Sequence, residues 1–183
     1  MKRSPSLGVV VVLGGLIIAV AGAGPAVAAD AADAGAGTGA LGIWTTSGGE
    51  SQIQIAPCGP ALCGRIVWLK DPYEKDGTLS RDTKNPVAAK RRRTVLGLTI
   101  LTGMRPYGAK PGEWRGGRIY DPQSGKTYHA DMWLKGADKL RFHGYIGVPL
   151  FGETTTWTRA AKTNPLPPRP AKRHAAPAPR KQP

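Results

Sequence analysis

Short runs of alternating apolar and polar residues fill the middle of this chain, and almost no stretch there has helical spacing. In residues 51–57, Ile53 and Ile55 alternate with Gln52 and Gln54, which is typical of a half-buried strand. Similar β-forming runs follow, separated by glycine, proline and aspartate in turn-like clusters. The predicted strands are residues 41–47, 51–57, 64–70, 95–102, 113–121, 126–134, 139–147 and 150–159.

Eight short strands with sequence-local connections predict an all-β fold, an eight-stranded antiparallel up-and-down β-barrel. A short helix or helical turn is expected near residues 87–93. Closing the sheet removes the unpaired edges that an open sheet would leave. A sandwich is the alternative, because periodicity does not separate the two folds. A barrel of this size holds either packed side chains or one small ligand, so its filling bears directly on function.

The two ends of the chain differ from this middle part. Residues 1–28 combine a positive start, an apolar run and the small residues of an A-x-A cleavage site, the pattern of a secretory signal peptide. An uncleaved membrane anchor is the alternative for that run. Residues 29–40 form a flexible Ala/Gly leader, and residues 161–183 a basic Pro/Ala-rich tail that is expected to be disordered. The β-barrel domain is therefore expected at residues 41–160, in a periplasmic or secreted protein.

Basic residues outnumber acidic ones, which gives a formal net charge of +14. One cluster is Lys90-Arg91-Arg92-Arg93. The tail adds Lys162, Arg169, Lys172, Arg173, Arg180 and Lys181 without any acidic residue. In a cytosolic protein this charge would indicate nucleic acid, but export makes nucleic acid an unlikely partner and favours anionic envelope polymers. A solvated tail without a partner is the alternative.

Cys58 and Cys63 are the two cysteines of the chain, and the turn residues Gly59 and Pro60 lie between them. An oxidising compartment favours a disulfide that pins a β-hairpin at this turn. Two sulfurs without a nearby histidine make a poor metal site, and their spacing is not that of a redox pair. We therefore expect neither a metal ion nor a cofactor.

The ends of the predicted barrel carry complementary side chains. The first strand contains Gly42-x-Trp44, and the last ends with Trp157-Thr158-Arg159. Because the first and last strands of an up-and-down barrel pair, the Arg159 guanidinium can lie flat on the Trp44 indole. We expect Trp44, Trp157 and Arg159 to be structural. The pattern resembles the signature of the calycin group, which includes lipocalins, fatty-acid-binding proteins and avidin.

Further segments carry a more specific resemblance across the whole core. They are Pro57-Cys58-Gly59, Leu62-Cys63-Gly64-Arg65-Ile66-Val67-Trp68, Asp82-x-x-Asn85-Pro86, Gly117-x-Ile119-Tyr120-Asp121-Pro122, Gly125-Lys126-x-Tyr128 and Gly144-Tyr145-Ile146-Gly147. In this order they resemble an exported bacterial family known as a domain of unknown function (number twenty-one forty-seven). The resemblance implies a lipocalin-like barrel and supplies no activity. The segment at residues 91–94 departs from the family pattern, and the basic tail lies outside it.

Five residues are the inward-facing candidates for ligand binding, and their alternative role is ordinary core. They are Trp68, Tyr120, Tyr128, Met132 and Phe142. The two hydroxyls and the indole N–H need partners when buried, which a ligand can provide. Asp82 and Asn85 are further candidates, because they either cap the turn at Val87 or touch a ligand at the barrel mouth. The acidic residues around them lack the ordered ligand spacing of a calcium loop.

Three polar residues, His129, Asp131 and His143, lie on facing predicted strands and would form a metal or general-base site if they faced a cleft. The alternate residues of the same strand, which include Tyr128 and Met132, are better suited to face inward. We therefore expect the histidines on the outer face of the barrel. The sequence contains neither a nucleophile elbow nor a phosphate-binding loop. We therefore predict no catalytic residues, and a binding protein is favoured over an enzyme.

Two functions remain open at this point. The first is an uncharacterised exported lipocalin-like protein that binds a small apolar or amphipathic ligand in the barrel. The alternative is an envelope scaffold or surface-attachment protein with a filled barrel, whose basic tail docks on anionic polymers. The barrel interior separates them, since a void of about 300 Å³ or more favours a ligand carrier.

Overall fold

Eight antiparallel strands close into a barrel in which each strand pairs with the next and the last pairs with the first. The computed structural model describes residues 38–109 and 111–170. The strands are β1 (Gly42–Thr45), β2 (Ser51–Cys58), β3 (Ala61–Leu69), β4 (Thr99–Pro106), β5 (Glu113–Asp121), β6 (Lys126–Leu134), β7 (Lys139–Tyr145) and β8 (Gly152–Ala160). The predicted eight-stranded up-and-down barrel is confirmed, and the sandwich is excluded. The expected helical turn is a single 3₁₀ turn at Ala88–Lys90.

The two ends of the barrel carry different loops. We call upper the end at which β1, β3, β5 and β7 finish, because it bears the long β3–β4 loop (residues 70–98) and the β7–β8 loop (residues 146–151). The lower end carries the β2–β3 turn, the chain entry before β1 and the chain exit after β8. The signal peptide and nearly all of the leader predicted for the N-terminus lie outside the described residues.

The lower end is closed by the chain that enters β1. Ala40 and Trp44 are fully buried, and the Trp44 Nε1–H donates to the Ala40 carbonyl at 2.8 Å. The Arg159 guanidinium carbon lies 4.1 Å from the centroid of the Trp44 ring, so the contact expected between the barrel ends is present. Arg159 also donates to the carbonyls of Leu41 and Ala137 at 2.8 and 2.7 Å. One side chain therefore connects the first strand, the last strand and the β6–β7 turn.

The disulfide between Cys58 and Cys63 closes the β2–β3 hairpin, with its two Cα atoms 5.7 Å apart. The hairpin is tighter than predicted, because β3 begins at Ala61 instead of residue 64. Gly59 adopts a φ of +65°, as the first central residue of a primed hairpin turn requires. Pro60 is the second central residue of this turn. The predicted disulfide is confirmed.

Strand β4 runs from Thr99 to Pro106, four residues later than the predicted 95–102. Gly97 has a φ of +86°, which ends the preceding turn instead of continuing a strand. The predicted strand ended just before Gly103, which has a φ of +72° at a point where β4 carries one residue more than β3. Such a bulge lets the strand bend and continue, so Met104 reaches the core.

A second bulge explains the orientation of Trp68. This residue was predicted to face inward, but it does not. Ile53 pairs with Ile66, whereas the neighbouring Gln52 pairs with Trp68, so β3 carries an extra residue, Val67. The extra residue reverses the alternation of side chains beyond it. Trp68 consequently lies on the outer face of the barrel beside Gln52.

Residues 161–170, which we call the C-terminal strap, run along this outer face. The Asn164 amide donates to Gln52 Oε1 at 2.7 Å, and Trp68 Nε1 donates to the Pro165 carbonyl at 2.9 Å. The covered Gln52 is only 2 % exposed although it points away from the core. Composition predicted disorder from residue 161 onward, yet the strap makes defined contacts. Residues 171–183 of the predicted tail lie outside the described residues.

Candidate functional site

A cavity of about 760 Å³ opens at the upper end of the barrel. Its interior is lined by the aliphatic side chains of β3, β4 and β5 and by Trp157 of β8. Its rim comes from three connections, the β1–β2 turn, the β3–β4 loop and the β5–β6 turn. The lining includes Ile66, Leu69, Val95, Ile100, Ile119, Tyr120, Tyr128, Thr155 and Trp157 inside, and Ser47, Glu50, Asp71, Arg81, Lys84 and Gln123 at the rim. The barrel interior is therefore packed in one half only.

The predicted ligand-binding residues divide into three groups. Tyr120 and Tyr128 line the cavity. Met132 and Phe142 are 1 % and 4 % exposed and belong to the packed core; the Phe142 ring stacks in parallel on Trp157 at 4.7 Å. Trp68 lies on the outer face and contacts the strap. Only the two tyrosines thus stand where a ligand in the cavity would touch them.

Several residues that line the cavity were not singled out from the sequence. Ile66, Ile100 and Ile119 form much of its apolar wall, and Thr155 faces it from β8, as does Trp157, which was expected to be structural. In the sequence these residues stand at the inward-facing positions of their strands. That alternation predicts a packed core residue and a pocket residue equally well. Aliphatic residues carry no chemistry that separates the two roles.

A buried polar cluster joins the β3–β4 loop to β5 beside the cavity. The Asp82 side chain is fully buried, and its carboxylate accepts hydrogen bonds from the Tyr120 hydroxyl at 2.5 Å and from Asn85 Nδ2 at 2.8 Å. Arg93 Nη2 donates to the same carboxylate at 2.8 Å. Asn85 Nδ2 also donates to the Tyr120 hydroxyl oxygen at 3.1 Å. Because each buried charge and amide has a partner, the cluster fixes the loop and the tyrosine together.

Two pKa values in this cluster are shifted. Burial alone would raise the pKa of Asp82, but hydrogen bonds from Tyr120, Arg93 and Asn85 and the charge of Arg93 bring it below the usual value. Burial raises the pKa of the Tyr120 hydroxyl, and its hydrogen bond to the Asp82 carboxylate raises it further. Near neutral pH the pair therefore consists of a carboxylate and a neutral phenol that donates to it.

Asn85 also caps the turn that follows it. Its Oδ1 accepts the Val87 backbone N–H at 2.9 Å, as predicted for this position. The Arg91 guanidinium Nε donates to the Asn85 carbonyl at 2.8 Å. Neither Asp82 nor Asn85 is among the residues lining the cavity. Both act on the cavity wall through Tyr120.

His129, Asp131 and His143 lie on the outer face of β6 and β7, where they alternate with the buried Ala130 and Met132. Asp131 pairs directly with His143 in the sheet, but its Oδ1 accepts the Gly116 N–H at 3.1 Å. The His143 ring nitrogens contact Thr154 Oγ1 and the Pro149 carbonyl, each at 2.8 Å. These side chains therefore do not converge on a cleft.

Within residues 38–109 and 111–170, no three His, Cys, Asp or Glu side chains are grouped so as to hold a metal ion. In the same part of the chain, no helix has the length and apolar character needed to cross a membrane.

Comparison with known proteins agrees with this geometry. Residues 42–159 match the sequence model of a family described as an uncharacterized protein conserved in bacteria, DUF2147. A similar solved structure is that of protein HP1028 from the human pathogen Helicobacter pylori, which is described as belonging to the lipocalin family. It is 21 % identical, with a TM-score of 0.58, over 66 % of this chain and 82 % of that chain. This likeness shows a shared lipocalin-like fold. No curated protein matches the chain.

Proposed function

The chain belongs to the bacterial DUF2147 family, and from this premise we propose that it binds a small apolar or amphipathic molecule in the upper half of its lipocalin-like barrel. The observation that carries the proposal is the cavity of about 760 Å³. Small-molecule sites span about 300–1,000 Å³, so the cavity has the size of such a site. A completely filled barrel, which the scaffold alternative requires, is not supported by a cavity of this volume.

The distribution of lining residues favours an amphipathic ligand. Ile66, Ile100 and Ile119 offer an apolar surface in the interior, while Arg81 and Lys84 contribute charge at the rim. A molecule with a hydrocarbon body and a polar head would bury the body and leave the head among the rim residues and water. Each buried methylene would contribute about 0.8 kcal/mol to binding.

Tyr120 is the side chain best placed to give the site polar specificity. Its hydroxyl donates to Asp82 and accepts from Asn85, which holds the ring at a fixed point of the cavity wall. We assign Tyr120 and Tyr128 to the ligand site, and Asp82 and Asn85 to positioning Tyr120. Met132 and Phe142 support the wall from the core, and Trp68 has no part in this proposal.

Export is part of the proposal. The disulfide between Cys58 and Cys63 is typical of proteins in oxidising compartments, and the family is bacterial. With the predicted cleavage of residues 1–28, this supports a periplasmic or secreted carrier. Binding of anionic polymers by the tail does not depend on the cavity and remains a separate prediction.

The direct test is native mass spectrometry of the mature protein purified gently from the periplasm. A stoichiometric additional mass that is released on denaturation is expected, and its fragmentation would identify the molecule. Thr155→Phe, which fills the cavity from β8, should abolish the additional mass. The matched control Thr158→Phe places the same ring on the outer face of β8 and should retain it. Equal retention by both variants would contradict binding in the cavity.

A further inference from the structure

The β7–β8 loop exposes a cluster of apolar side chains at the upper end. Ile146, Val148, Leu150 and Phe151 are 64 %, 54 %, 83 % and 72 % exposed. Residues 145–152 contain no charged side chain. Single exposed apolar residues are common on soluble proteins, but a contiguous group marks an interaction site. Much of this apolar stretch was predicted to lie at the ends of two strands, 139–147 and 150–159, whereas β7 ends at Tyr145 and β8 begins at Gly152.

The loop is held in shape by its base. His143 Nε2 contacts the Pro149 carbonyl at 2.8 Å, and the Phe151 N–H donates to the Val148 carbonyl at 3.1 Å. A Cβ at Gly152 would lie only 2.7 Å from the His143 ring, so the strand and the ring are in close contact. The apolar side chains are therefore presented by a defined turn.

Basic groups share the upper end with this loop. The β3–β4 loop, residues 70–98, contains eight basic and four acidic residues. Arg93 pairs with the buried Asp82, but Lys90 and Arg92 are exposed and their side chains make no ion pair within the described residues. The upper end therefore has an apolar loop on one side of the mouth and a loop with a basic excess on the other, while Glu50, Asp121 and Glu153 also line the mouth.

The strap adds a second basic element to the same end. It leaves β8 at the lower end and passes Gln52 and Trp68. It then reaches the β3–β4 loop, where Arg169 lies 5.8 Å from the Tyr73 ring centroid. Arg169 is the basic residue that the described part of the strap brings to this end.

We propose that the upper end docks on an anionic phospholipid surface, with Leu150 and Phe151 inserted among the lipid headgroups and the basic groups on the phosphates. Stable attachment to a membrane generally takes two signals, such as an apolar insertion and an electrostatic attraction, and this end supplies both. A protein partner would need a face of about 800 Å² on each side, much more than a six-residue loop tip provides. Docking does not require the cavity to hold a ligand.

The test is flotation of the mature full-length chain with vesicles of phosphatidylethanolamine and phosphatidylglycerol, compared with vesicles of phosphatidylcholine. We expect binding to the anionic vesicles alone. The variant L150S/F151S should bind at least tenfold more weakly, because two large apolar side chains no longer enter the lipid. The matched control Tyr107→Ser removes an exposed aromatic ring at the lower end, and it should bind like the unchanged protein.

A second variant, K90Q/R92Q, isolates the electrostatic part. It should bind more weakly at low salt and lose less affinity than the unchanged protein when salt is added, because fewer charges are screened. Near-native circular dichroism would establish that both variants fold. Binding of L150S/F151S equal to that of the unchanged protein would overturn the proposal, as would equal binding to neutral vesicles. A loop-dependent change of mass in sedimentation, without loop-dependent vesicle binding, would identify self-association instead.

Discussion

The lower and upper halves of this barrel are built from the same eight strands, yet they differ in what fills them. In the lower half, Trp44, Met104 and Trp114 are fully buried, and Arg159 closes the seam between β1 and β8. In the upper half a cavity takes the place of packed side chains, and a polar cluster around Asp82 holds the covering loop. The comparison shows that closure of the sheet needs dense packing at one end only, which leaves the other end available for binding.

The largest effect is expected when packed side chains are removed from the lower half, which tests whether that half carries the stability of the barrel. Trp44→Ala deletes a fully buried indole, the hydrogen bond to Ala40 and the surface on which Arg159 lies. We expect a loss of about 3–5 kcal/mol in the free energy of unfolding. Urea unfolding followed by circular dichroism measures it. A loss under about 1 kcal/mol, the range of an exposed substitution, would mean that the lower half does not carry the stability.

Arg159→Ala tests the seam itself with a smaller effect. It removes the contact with the Trp44 ring and the hydrogen bonds to the carbonyls of Leu41 and Ala137. We expect a loss of about 1–3 kcal/mol. Arg159→Lys keeps the charge but lacks the planar guanidinium, so it should recover only part of the loss. An unchanged melting temperature of Arg159→Ala would contradict the role of this contact in closing the barrel.

Tyr120→Phe tests whether ligand binding depends on the polar cluster of the upper half. It removes one donor to the buried Asp82 carboxylate while keeping the ring in the cavity wall. We expect a loss of stability of about 1–2 kcal/mol. A ligand that contacts the hydroxyl should also bind more weakly, whereas Tyr107→Phe at the lower end should leave binding unchanged. Titration of the ligand identified by mass spectrometry measures this difference.

The pH dependence of stability gives the smallest and most local test. Since the pKa of Asp82 in the folded protein lies below its unfolded value of about 3.9, its stabilising contribution is present above that pH. It is lost as the pH falls through the folded pKa. Asp82→Asn should therefore be less stable than the unchanged protein at pH 7, and the difference should narrow below about pH 4. Unfolding at both pH values checks this, with the exposed Asp71→Asn as control.

Tyr120 sets the alkaline limit of the pH range in which the same cluster stabilises the fold. Its folded pKa is raised, so its contribution is present below the unfolded value of about 10 and is lost as the pH rises through the folded pKa. The unchanged protein should lose stability over this alkaline range more steeply than Tyr120→Phe. Parallel pH profiles of the two proteins would show that the hydroxyl does not interact with a charged Asp82.

Much of the lower half follows from local sequence rules. The alternation of Ile53 and Ile55 with two glutamines predicted β2, and the Trp44 and Arg159 positions predicted the contact between the barrel ends. These features depend on strand period and on the pairing of first and last strands in an up-and-down barrel. The pairing of the first and last strands is a long-range contact, but it follows directly from an up-and-down barrel topology.

The upper half was harder to predict, because its features depend on irregularities and long-range contacts. One extra residue at Val67 reversed the orientation of Trp68, and the periodicity of β3 does not reveal where a bulge occurs. The hydrogen bond between Asp82 and Tyr120 joins residues 38 positions apart. The strap was predicted to be disordered, because a proline-rich segment buries little apolar surface of its own. Its order comes from hydrogen bonds to Gln52 and Trp68.

The course of the strap has a practical consequence for anyone who attaches the protein to a surface or a fusion partner. The described chain begins at the lower end, where Ala40 is buried under the barrel, and finishes beside Gly77 of the β3–β4 loop at the upper end. A tether joined directly before residue 38 would therefore leave the cavity mouth facing solution. A tag or carrier joined directly after residue 170 would start on the mouth side instead. Immobilising the protein in these two orientations gives the same fold two different degrees of access to its interior.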